Sequence, residues 1–267
     1  MKVSVILPTF EGSIPTILPA LKSISSQSLK EFECLIVDDS NDKNIVDFLN
    51  EYCIQDNRFI YIRGDGKGLA SALNKGITFA KGEFIARSDS TDISQHDRLY
   101  RQVKFLQKNK GIDILGANMI MKSNGNNRIS NYPDSHFGIT FQFIYRNPIA
   151  HPTVMFRRSI IEEGLRYSES FKYCEDLEFW LRLWRKNYRF ANLKENLVEY
   201  DASASARSTI DNIYNIGARI FNCTNPLIFL SIFARLIHLF LPRGLRSLVQ
   251  NLFISKPESK QKSFKKF

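Results

Sequence analysis

Apolar runs alternate with stretches of helical periodicity in the first third of the chain. The four apolar runs span residues 2–7, 32–37, 59–62 and 84–86. Runs of this length are typical of buried strands. Between the first two runs, apolar residues recur at the spacing of one helix face, as they do between the second and third: Ile17, Leu18, Leu21 and Ile24, then Ile45, Phe48, Leu49 and Tyr52. Strands that alternate with helices predict βαβ units, and therefore an α/β domain with a mainly parallel sheet.

Polar residues follow where these runs end. Pro8-Thr9 follows the first run and predicts a loop, Asp38-Asp39-Ser40 follows the second, and the turn from Arg87 to Asp92 follows the fourth. In open α/β sheets, ligands bind beyond the carboxyl ends of the strands, so carboxylates there suit a metal-bound phosphate ligand. The same residues also form ordinary turns and helix caps, and the pattern alone leaves both interpretations open.

A glycine-spaced loop at 63–68 precedes a predicted helix from residue 69 to about 80. Glycines let a backbone approach a ligand closely, and a helix N-terminus favours phosphate. The spacing matches neither a P-loop nor a dinucleotide-binding motif, so a surface loop is an equal alternative.

Two later segments have clear patterns. Glu175-Asp176 opens a helical run with apolar residues at i, i+3, i+4 and i+7. A carboxylate at a helix N-terminus is kept ionised by the helix dipole, which suits a general base and an ordinary cap alike. The polar segment 122–133 is rich in Asn, Ser and Gly, and predicts a loop without regular structure.

Composition indicates a globular intracellular protein. The chain has 267 residues, of which 43% are hydrophobic, enough for one large core or two smaller ones. The four cysteines lack C-x-x-C spacing, which predicts neither a zinc site nor a disulfide framework. The apolar run after Met1 is too short for a signal-peptide core, so we expect a cytoplasmic location.

The net charge of +10 is concentrated near the C-terminus. From residue 235 onward, Glu258 is the single acid among eight basic residues: Arg235, Arg243, Arg246, Lys256, Lys260, Lys262, Lys265 and Lys266. We find no nucleic-acid recognition motif to accompany them, and therefore predict no nucleic-acid partner.

The apolar stretch 227–241 is shorter than the roughly 20 residues that span a bilayer. Apolar residues between 245 and 253 then recur at helical spacing beside basic residues. Such a helix is expected to lie peripherally on an anionic membrane, here the inner face of the plasma membrane. A helix packed on the rest of the chain, or on a partner subunit, is the alternative.

Nine short segments occur in the order seen in one known family. They are residues 3–10, 26–28, 32–40, 73–76, 80–87, 88–92, 97–99, 147–157 and 175–183. With these motifs the chain resembles the inverting nucleotide-sugar glycosyltransferases of family 2, over about three quarters of its length. The resemblance implies a three-layer α/β/α fold of the GT-A type, in a catalytic domain of residues 1–207. Residues 1–95 would bind the nucleotide and residues 96–207 the acceptor, while residues 208–267 would form a helical, membrane-associating extension.

The resemblance also implies the residues of a nucleotide-sugar site. The base, ribose and diphosphate would be bound by Pro8, Thr9, Asp38, Asp39, Arg87 and Asp89. A carboxylate of the Asp38-Asp39 pair would accept the N3–H of uracil or thymine, which predicts a UDP- or dTDP-sugar donor.

A divalent cation, Mg²⁺ or Mn²⁺, would be held by Asp89 and Asp92. Related sequences read Arg-Met-Asp-x-Asp-Asp at this turn, but here Thr91 replaces the second aspartate of the motif. A threonine hydroxyl is a neutral and weaker ligand, so we expect metal affinity to be lower.

For the reaction itself, the resemblance implies that Asp176, beside Glu175, is the general base of a direct displacement with inversion. His151 would lie near the acceptor or the diphosphate, although a lone histidine is as often structural. The chain lacks the Gln-x-x-Arg-Trp motif of processive relatives, which favours transfer of one sugar per encounter.

The sequence therefore predicts a glycosyltransferase of the hexosyltransferase type. Its acceptor would be a glycan, lipid-linked at the membrane, in the synthesis of a surface polysaccharide such as O-antigen or capsule. A non-catalytic protein that binds nucleotide-sugars or membranes is the alternative, because of Thr91. A sugar nucleotidyltransferase is disfavoured, since its glycine-rich signature is missing after the first strand. The donor sugar, the acceptor and the linkage depend on loops that the motifs do not specify.

Overall fold

The computed structural model describes residues 1–10, 12–123, 126–144, 146–202 and 209–222. The elements of the first half are β1 (Val3–Thr9), α1 (Ile14–Ser25), β2 (Phe32–Asp38), α2 (Lys43–Gln55), β3 (Phe59–Arg63), α3 (Leu69–Phe79) and β4 (Phe84–Arg87). Those that follow are β5 (Ile93–Ser94), α4 (Arg98–Lys108), β6 (Ile114–Ser123), β7 (Asn126–Ile129), α5 (His136–Gln142), β8 (Met155–Arg157), α6 (Ser159–Glu162), α7 (Glu175–Arg185), β9 (Phe190–Asp201) and α8 (Thr209–Phe221). A 3-10 turn, His151–Thr153, precedes β8.

The strands form one mixed sheet in the order β3-β2-β1-β4-β8-β6-β9-β5, and β7 pairs with β6. The first four are parallel, as the alternation of strands and helices predicts. Strand β8 then joins β4 in the antiparallel direction, and β6 pairs with β8 in the same way. The parallel half therefore places the ends of β1, β2 and β4 along one edge.

Two apolar clusters cover the two faces of the sheet. Ile6, Leu35 and Val37 pack with residues of α3 and α7 on one face. Their neighbours on the same strands point to the other face, where they pack with α1, α2 and α4. Because both faces are covered, every residue of β1 and β2 is buried, as is typical of parallel strands between helices. The layers are helix, sheet and helix.

Two sequence predictions differ from the structure. Segment 122–133, predicted to be an irregular loop, instead contains the end of β6 and strand β7, which pair as Ile120 with Ile129 and Lys122 with Asn127. This prediction is wrong because an edge strand exposed to water carries the same polar residues as a loop. Strand β1 also continues through Pro8 and Thr9, because its parallel pairing with β2 extends to Val37 and Asp38.

Helix α8 lies beyond the predicted domain boundary at residue 207 and packs on α7. Its residues Ala218 and Arg219 are fully buried. The boundary itself stays a prediction. The predicted segments 227–241 and 245–253 lie outside the described residues. Within the described ranges, no helix is long and apolar enough to cross a membrane.

Candidate active site

Asp38 is a structural residue at the end of β2. It is fully buried, and its Oδ1 accepts hydrogen bonds from Thr9 Oγ1 at 2.7 Å and from the Ser40 backbone N–H at 3.0 Å. Its Oδ2 accepts the Tyr61 hydroxyl at 3.1 Å and lies 3.5 Å from Arg63 Nη1. Both oxygens are thus used to join the ends of β1, β2 and β3. Asp38 therefore has little capacity left for a nucleotide.

Asp39 has a different environment. The glycine loop folds over it: Gly66 N–H donates to Asp39 Oδ1 at 2.8 Å, and a Cβ on Gly64 would lie 1.9 Å from the same oxygen. Gly66 itself has a φ of +67°, which favours glycine. Among the described residues, no donor reaches Asp39 Oδ2. Of the two predicted carboxylates, Asp39 is the one with an oxygen free for a ring N–H.

Phe10 is the residue after Thr9, whose backbone binds that of Asp39, and no role was predicted for it. The Thr9 carbonyl oxygen accepts the Asp39 N–H at 2.9 Å. Although aromatic, Phe10 is 60% exposed. An exposed ring one residue beyond the strand that binds the Asp39 backbone suits the stacking of a planar base. Its position just past the last residue of a buried strand is the signal in the sequence.

A cavity of about 320 Å³ lies at the same end of β2 and β3. It is lined by Ser40, Asn41, Lys43, Val46, Tyr61 and Arg63. None of the predicted site residues lines it, so it lies beside the Asp39 subsite and is not that subsite. The positive side chains of Lys43 and Arg63 make this cavity favourable for an anion.

The acidic turn after β4 is organised by two buried arginines. Arg87 is buried and forms an ion pair with Asp89. Arg98 donates from Nη2 to the Arg87 carbonyl oxygen at 2.6 Å, and burial lowers the pKa of Arg98 to about 10. Asp92 is buried below the turn, where its Oδ1 accepts the Asp201 N–H at 3.4 Å. Burial, and then the neighbouring charge of Asp89, raise the pKa of Asp92 to about 7.

This turn offers a small set of metal ligands. Thr91 is exposed, and among the described residues no group of three or more His, Cys, Asp or Glu is placed to hold a metal ion. Asp92 Oδ2, however, is buried and lacks a hydrogen-bond donor, and it lies close enough to Asp89 for their charges to repel. Two repelling carboxylates fit one divalent cation whose other ligands come from a diphosphate and water.

Asp176 lies in the first turn of α7. Its Oδ2 accepts the Asn147 side-chain amide at 2.6 Å, and its Oδ1 accepts the Leu177 N–H at 2.7 Å. Burial raises the pKa of Asp176. The sequence analysis gave Asn147 no role of its own, although it opens one of the family-like segments. Cys174, just before the helix, has a left-handed φ of +57°.

Glu175 and His151 form a buried pair beside Asp176. Burial, and then the charge of Asp176, raise the pKa of Glu175 to about 7. His151 Nδ1 lies 3.7 Å from Glu175 Oε1, and His151 Nε2 lies 3.1 Å from the Tyr167 hydroxyl. Burial lowers the pKa of His151 well below its usual range, so the ring is neutral near pH 7. The structure places His151 against Glu175, the residue next to the predicted base, and its contact with an acceptor stays a prediction.

Arg87 connects the acidic turn with the start of α7. Its positive charge acts on Glu175, Asp176 and His151, and the charge of Asp89 acts on Glu175. These groups therefore lie close enough to one another for their charges to interact.

Asp39 lies on the same edge of the sheet, two strands away. The backbone N–H of Asp39 and that of Ser88 both bond to β1 carbonyl oxygens, which are those of Thr9 and Ile6. Asp39 and the acidic turn after β4 thus lie along one edge of the sheet.

Comparison with known proteins identifies relatives of this chain. The family model described as glycosyl transferase family 2 matches residues 4–165. An uncharacterized glycosyltransferase of Methanocaldococcus jannaschii, MJ1057, is 28% identical over 203 residues, which cover 74% of this chain and 70% of the relative. The O-antigen biosynthesis glycosyltransferase WbnJ of Escherichia coli is 33% identical over 187 residues, with coverage of 68% and 72%.

The solved structures of S. aureus TarS share the fold. The complex of TarS 1–349 with UDP-GlcNAc has a TM-score of 0.66 at 21% identity, and covers 95% of this chain and 76% of that one. This likeness confirms the predicted α/β fold of the GT-A type, with a curled mixed sheet. Some matched proteins are longer: the chain spans 46% of a longer TarS structure and 36% of a Rickettsia felis relative.

Proposed function

Because the chain belongs to glycosyltransferase family 2, we propose that it transfers one sugar from a UDP- or dTDP-sugar to a glycan acceptor, with inversion at the anomeric carbon. The observation that carries this proposal is that the buried Arg87, paired with Asp89 at the end of β4, lies close enough to Glu175 and Asp176 at the start of α7 for their charges to interact. A donor with a diphosphate leaving group needs positive charge at one side and a base at the other. TarS, which shares the fold, has been solved with UDP and with UDP-GlcNAc.

The nucleotide would be recognised through Asp39. Its free Oδ2 accepts the N3–H that uracil and thymine carry, and a base without that donor would leave the carboxylate unpaired. Phe10 would stack on the ring, while Pro8 and Thr9 would line the ribose side. This arrangement supports a UDP or dTDP donor.

The leaving diphosphate would lie beside Arg87. The arginine is buried, so its charge is screened less than a surface charge would be. Asp89 and Asp92 would hold a divalent cation, Mg²⁺ or Mn²⁺, which when bound supplies further positive charge to the phosphate oxygens. Asp89 also keeps the Arg87 side chain at the edge of the site through their ion pair.

Asp176 would take the proton of the acceptor hydroxyl. The acceptor oxygen then forms a bond to the anomeric carbon while the bond from that carbon to the phosphate oxygen breaks, so the configuration inverts. Asn147 holds Asp176 Oδ2 and orients the carboxylate. The raised pKa of Asp176 makes it a stronger base than an exposed aspartate.

We further propose that the enzyme is of the hexosyltransferase type, and that its acceptor is lipid-linked at the inner face of the plasma membrane. The pathway would be the synthesis of a surface polysaccharide, O-antigen or capsule. The basic, apolar sequence of residues 227–267 supports the membrane location. The name of the Escherichia coli relative supports the pathway.

A second candidate is a protein that binds nucleotide-sugars without transferring them. The exposed Thr91, in place of a carboxylate in the acidic turn, favours it. Release of UDP from UDP-sugars in the presence of membrane extract distinguishes the two candidates. Transfer predicts UDP release by the wild-type chain that Asp176→Asn abolishes while UDP still binds. The exposed Asp47 on α2, as Asp47→Asn, is the control and should retain full release. A wild-type chain that binds UDP but releases none supports the second candidate.

A further inference from the structure

Asn74 connects helix α3 to the irregular segment 163–174 that leads into α7. Its side-chain Nδ2 donates to the Tyr167 carbonyl oxygen at 2.9 Å, and its Oδ1 accepts the Tyr167 N–H at 2.9 Å. The Nδ2 also lies 3.3 Å from Glu169 Oε1. One side chain thus binds both backbone groups of a residue 93 positions later.

An amide side chain is needed for this contact. Asparagine offers a donor and an acceptor on one planar group, as a neighbouring strand would. Aspartate would set a carboxylate against the Tyr167 carbonyl oxygen, and leucine would leave both Tyr167 backbone groups without these bonds. The segment has no regular secondary structure of its own, so its backbone depends on such contacts.

The fixed residue, Tyr167, leads directly to the predicted base. Its side chain is buried, and its hydroxyl lies 3.1 Å from His151 Nε2. On the other side of the ring, His151 Nδ1 lies 3.7 Å from Glu175 Oε1. Glu175 is adjacent to Asp176 in the first turn of α7. A continuous set of contacts therefore runs from Asn74 to the start of that helix.

Asn74, at the other end of this series of contacts, belongs to the half of the domain that would bind the nucleotide. Helix α3 packs closely on β1, since a Cβ on Gly76 would lie 2.6 Å from Ile6 Cγ2. Lys75 forms an ion pair with Asp65 in the glycine loop, the loop whose Gly66 binds Asp39. Asn74 therefore lies on a helix that contacts both β1 and the glycine loop beside Asp39.

We propose that Asn74 is a positioning residue of the transfer reaction. By holding the Tyr167 backbone, it maintains the contacts of Tyr167 with His151 and of His151 with Glu175. These contacts fix the position of the start of α7 relative to the half of the domain that would bind the nucleotide. This role rests on the proposed function, because Asp176 is the group that it places. Asn74 itself touches no predicted substrate group. Its effect belongs to the turnover step and not to nucleotide binding.

The first test replaces Asn74 with leucine, which has a similar shape. Misplacement of a reacting group by about 1 Å can cost about 100-fold in rate. We expect the turnover number for UDP release to fall at least about tenfold, while the Kd for UDP from calorimetry stays within about twofold. Thr78→Val is the matched control: Thr78 lies one turn further along α3, is exposed, and bonds to the Asn74 carbonyl oxygen. That variant should keep wild-type values.

A double-mutant cycle with Tyr167→Phe separates positioning from a general loss of structure. If Asn74 acts through the Tyr167 hydroxyl, the double variant loses less turnover than the product of the two single losses. Independent effects that multiply would contradict the proposal. Equal losses of UDP affinity and turnover in Asn74→Leu would also contradict it, because they indicate damage to the whole domain.

A spectroscopic measurement tests the contacts without the reaction. The chain has two tryptophans, and Trp180 lies 6.0 Å from the His151 ring between ring centroids. In a Trp184→Phe background, the proposal predicts that Asn74→Leu changes the Trp180 emission and that Thr78→Val does not. Unchanged emission in both overturns the proposal even where transfer is observed. If the wild-type chain releases no UDP, the proposed function fails, and this measurement still decides whether Asn74 sets the surroundings of His151.

Discussion

Asp38 and Asp39 are adjacent in the sequence but serve different purposes in the structure. Side chains alternate along a strand, so consecutive residues at a strand end point in opposite directions. Asp38 meets donors from β1 and β3, while Asp39 meets the glycine loop. A pattern of two acidic residues predicts a carboxylate at the site, but the pairing of neighbouring strands determines which one it is.

Asparagine substitutions should separate these two residues. In Asp39→Asn, an amide hydrogen would face the ring N–H, so we expect UDP affinity to fall at least about tenfold, or about 1.4 kcal/mol, with little change in stability. In Asp38→Asn, the amide cannot accept all the bonds that the carboxylate accepts. We expect a loss of about 1–3 kcal/mol in the free energy of unfolding.

Calorimetric titration with UDP and urea denaturation measure the two effects. Each variant serves as the control for the other, because both remove one charge at the same end of β2. An Asp39→Asn variant with wild-type UDP affinity would contradict the assignment of Asp39 to the base.

The start of α7 predicts a pH dependence of transfer. Burial, and then the charge of Asp176, raise the pKa of Glu175 to about 7, and burial raises that of Asp176. The two carboxyls are neighbours and lose their protons as a pair. Because the base must be ionised, kcat/KM for UDP release should rise with pH as this pair loses its protons, of which the Glu175 proton leaves near pH 7. In Glu175→Gln, one negative charge is absent, so the midpoint should move to lower pH. The test range is about pH 5.5 to about pH 8.5, roughly one and a half units to either side of 7. A kcat/KM that does not change with pH over this range would refute an ionising base.

The same shift predicts how stability changes with pH. The folded pKa of Glu175, about 7, is above its ordinary value of 4.5. The folded state therefore binds the proton more tightly than the unfolded state. This contribution to stability is fully present below pH 4.5 and is lost as pH rises through 7. Glu175→Gln should lack this decline, which urea denaturation at several pH values would measure.

At the scale of elements, the proposed metal site depends on the turn from Ser88 to Asp92. Thr91 is exposed, and Asp89 in the same turn is partly exposed. Thr91→Asp would add a second accessible carboxylate. We expect Mn²⁺ to bind about tenfold more tightly in the presence of UDP, since one added charge near the surface is worth about 1–4 kcal/mol at contact distance. Calorimetry with Mn²⁺ measures this, with Asp89→Asn as the variant that should lose binding. Equal UDP affinity with and without EDTA, in the wild type and in Thr91→Asp, would argue against a metal.

Gly82, two residues before β4, lies where the backbone of β1 leaves no room for a side chain. A Cβ on Gly82 would lie 2.4 Å from the Ser4 backbone nitrogen and 2.6 Å from the Val3 carbonyl carbon. Backbone atoms of a central strand cannot move aside, so Gly82→Ala should cost about 1–3 kcal/mol of unfolding free energy. Gly111 is the control, because a Cβ there meets nothing within 4 Å. Gly111→Ala should change stability by no more than about 0.5 kcal/mol. Equal effects in urea denaturation would contradict this account.

Elements were predictable from the sequence where local patterns determine them. Helices α1, α2, α3 and α7 and strands β1 to β4 follow from apolar spacing. Strand β7 does not, because its polar residues are explained only by its pairing with β6. The same holds within the site: Asn147 gains its role from its contact with Asp176, which no local pattern contains.

At the scale of the whole molecule, the parallel half follows from the order of elements, because βαβ units leave few topologies. The acceptor half does not. The antiparallel entry of β8 between β4 and β6 brings His151, just before it, under the start of α7. Sequence distance gives no indication of this, so the pairing of His151 with Glu175 was not predictable, although both residues were identified separately.

The last prediction concerns how the catalytic domain reaches its acceptor. A chain that ends at Asn222 keeps α8, whose Ala218 and Arg219 are buried, and keeps every proposed site residue. It should therefore bind UDP with wild-type affinity. It loses the basic residues from Arg235 onward, each of which adds about 1 kcal/mol of attraction to an anionic surface.

In flotation with phosphatidylglycerol vesicles, the full chain should therefore rise with the lipid and the shortened chain should not. Higher salt should weaken the binding, because the attraction is electrostatic, and neutral phosphatidylcholine vesicles should bind neither chain. A shortened chain that floats equally well would place the membrane contact on the described domain, where α5 exposes 80% of Phe137.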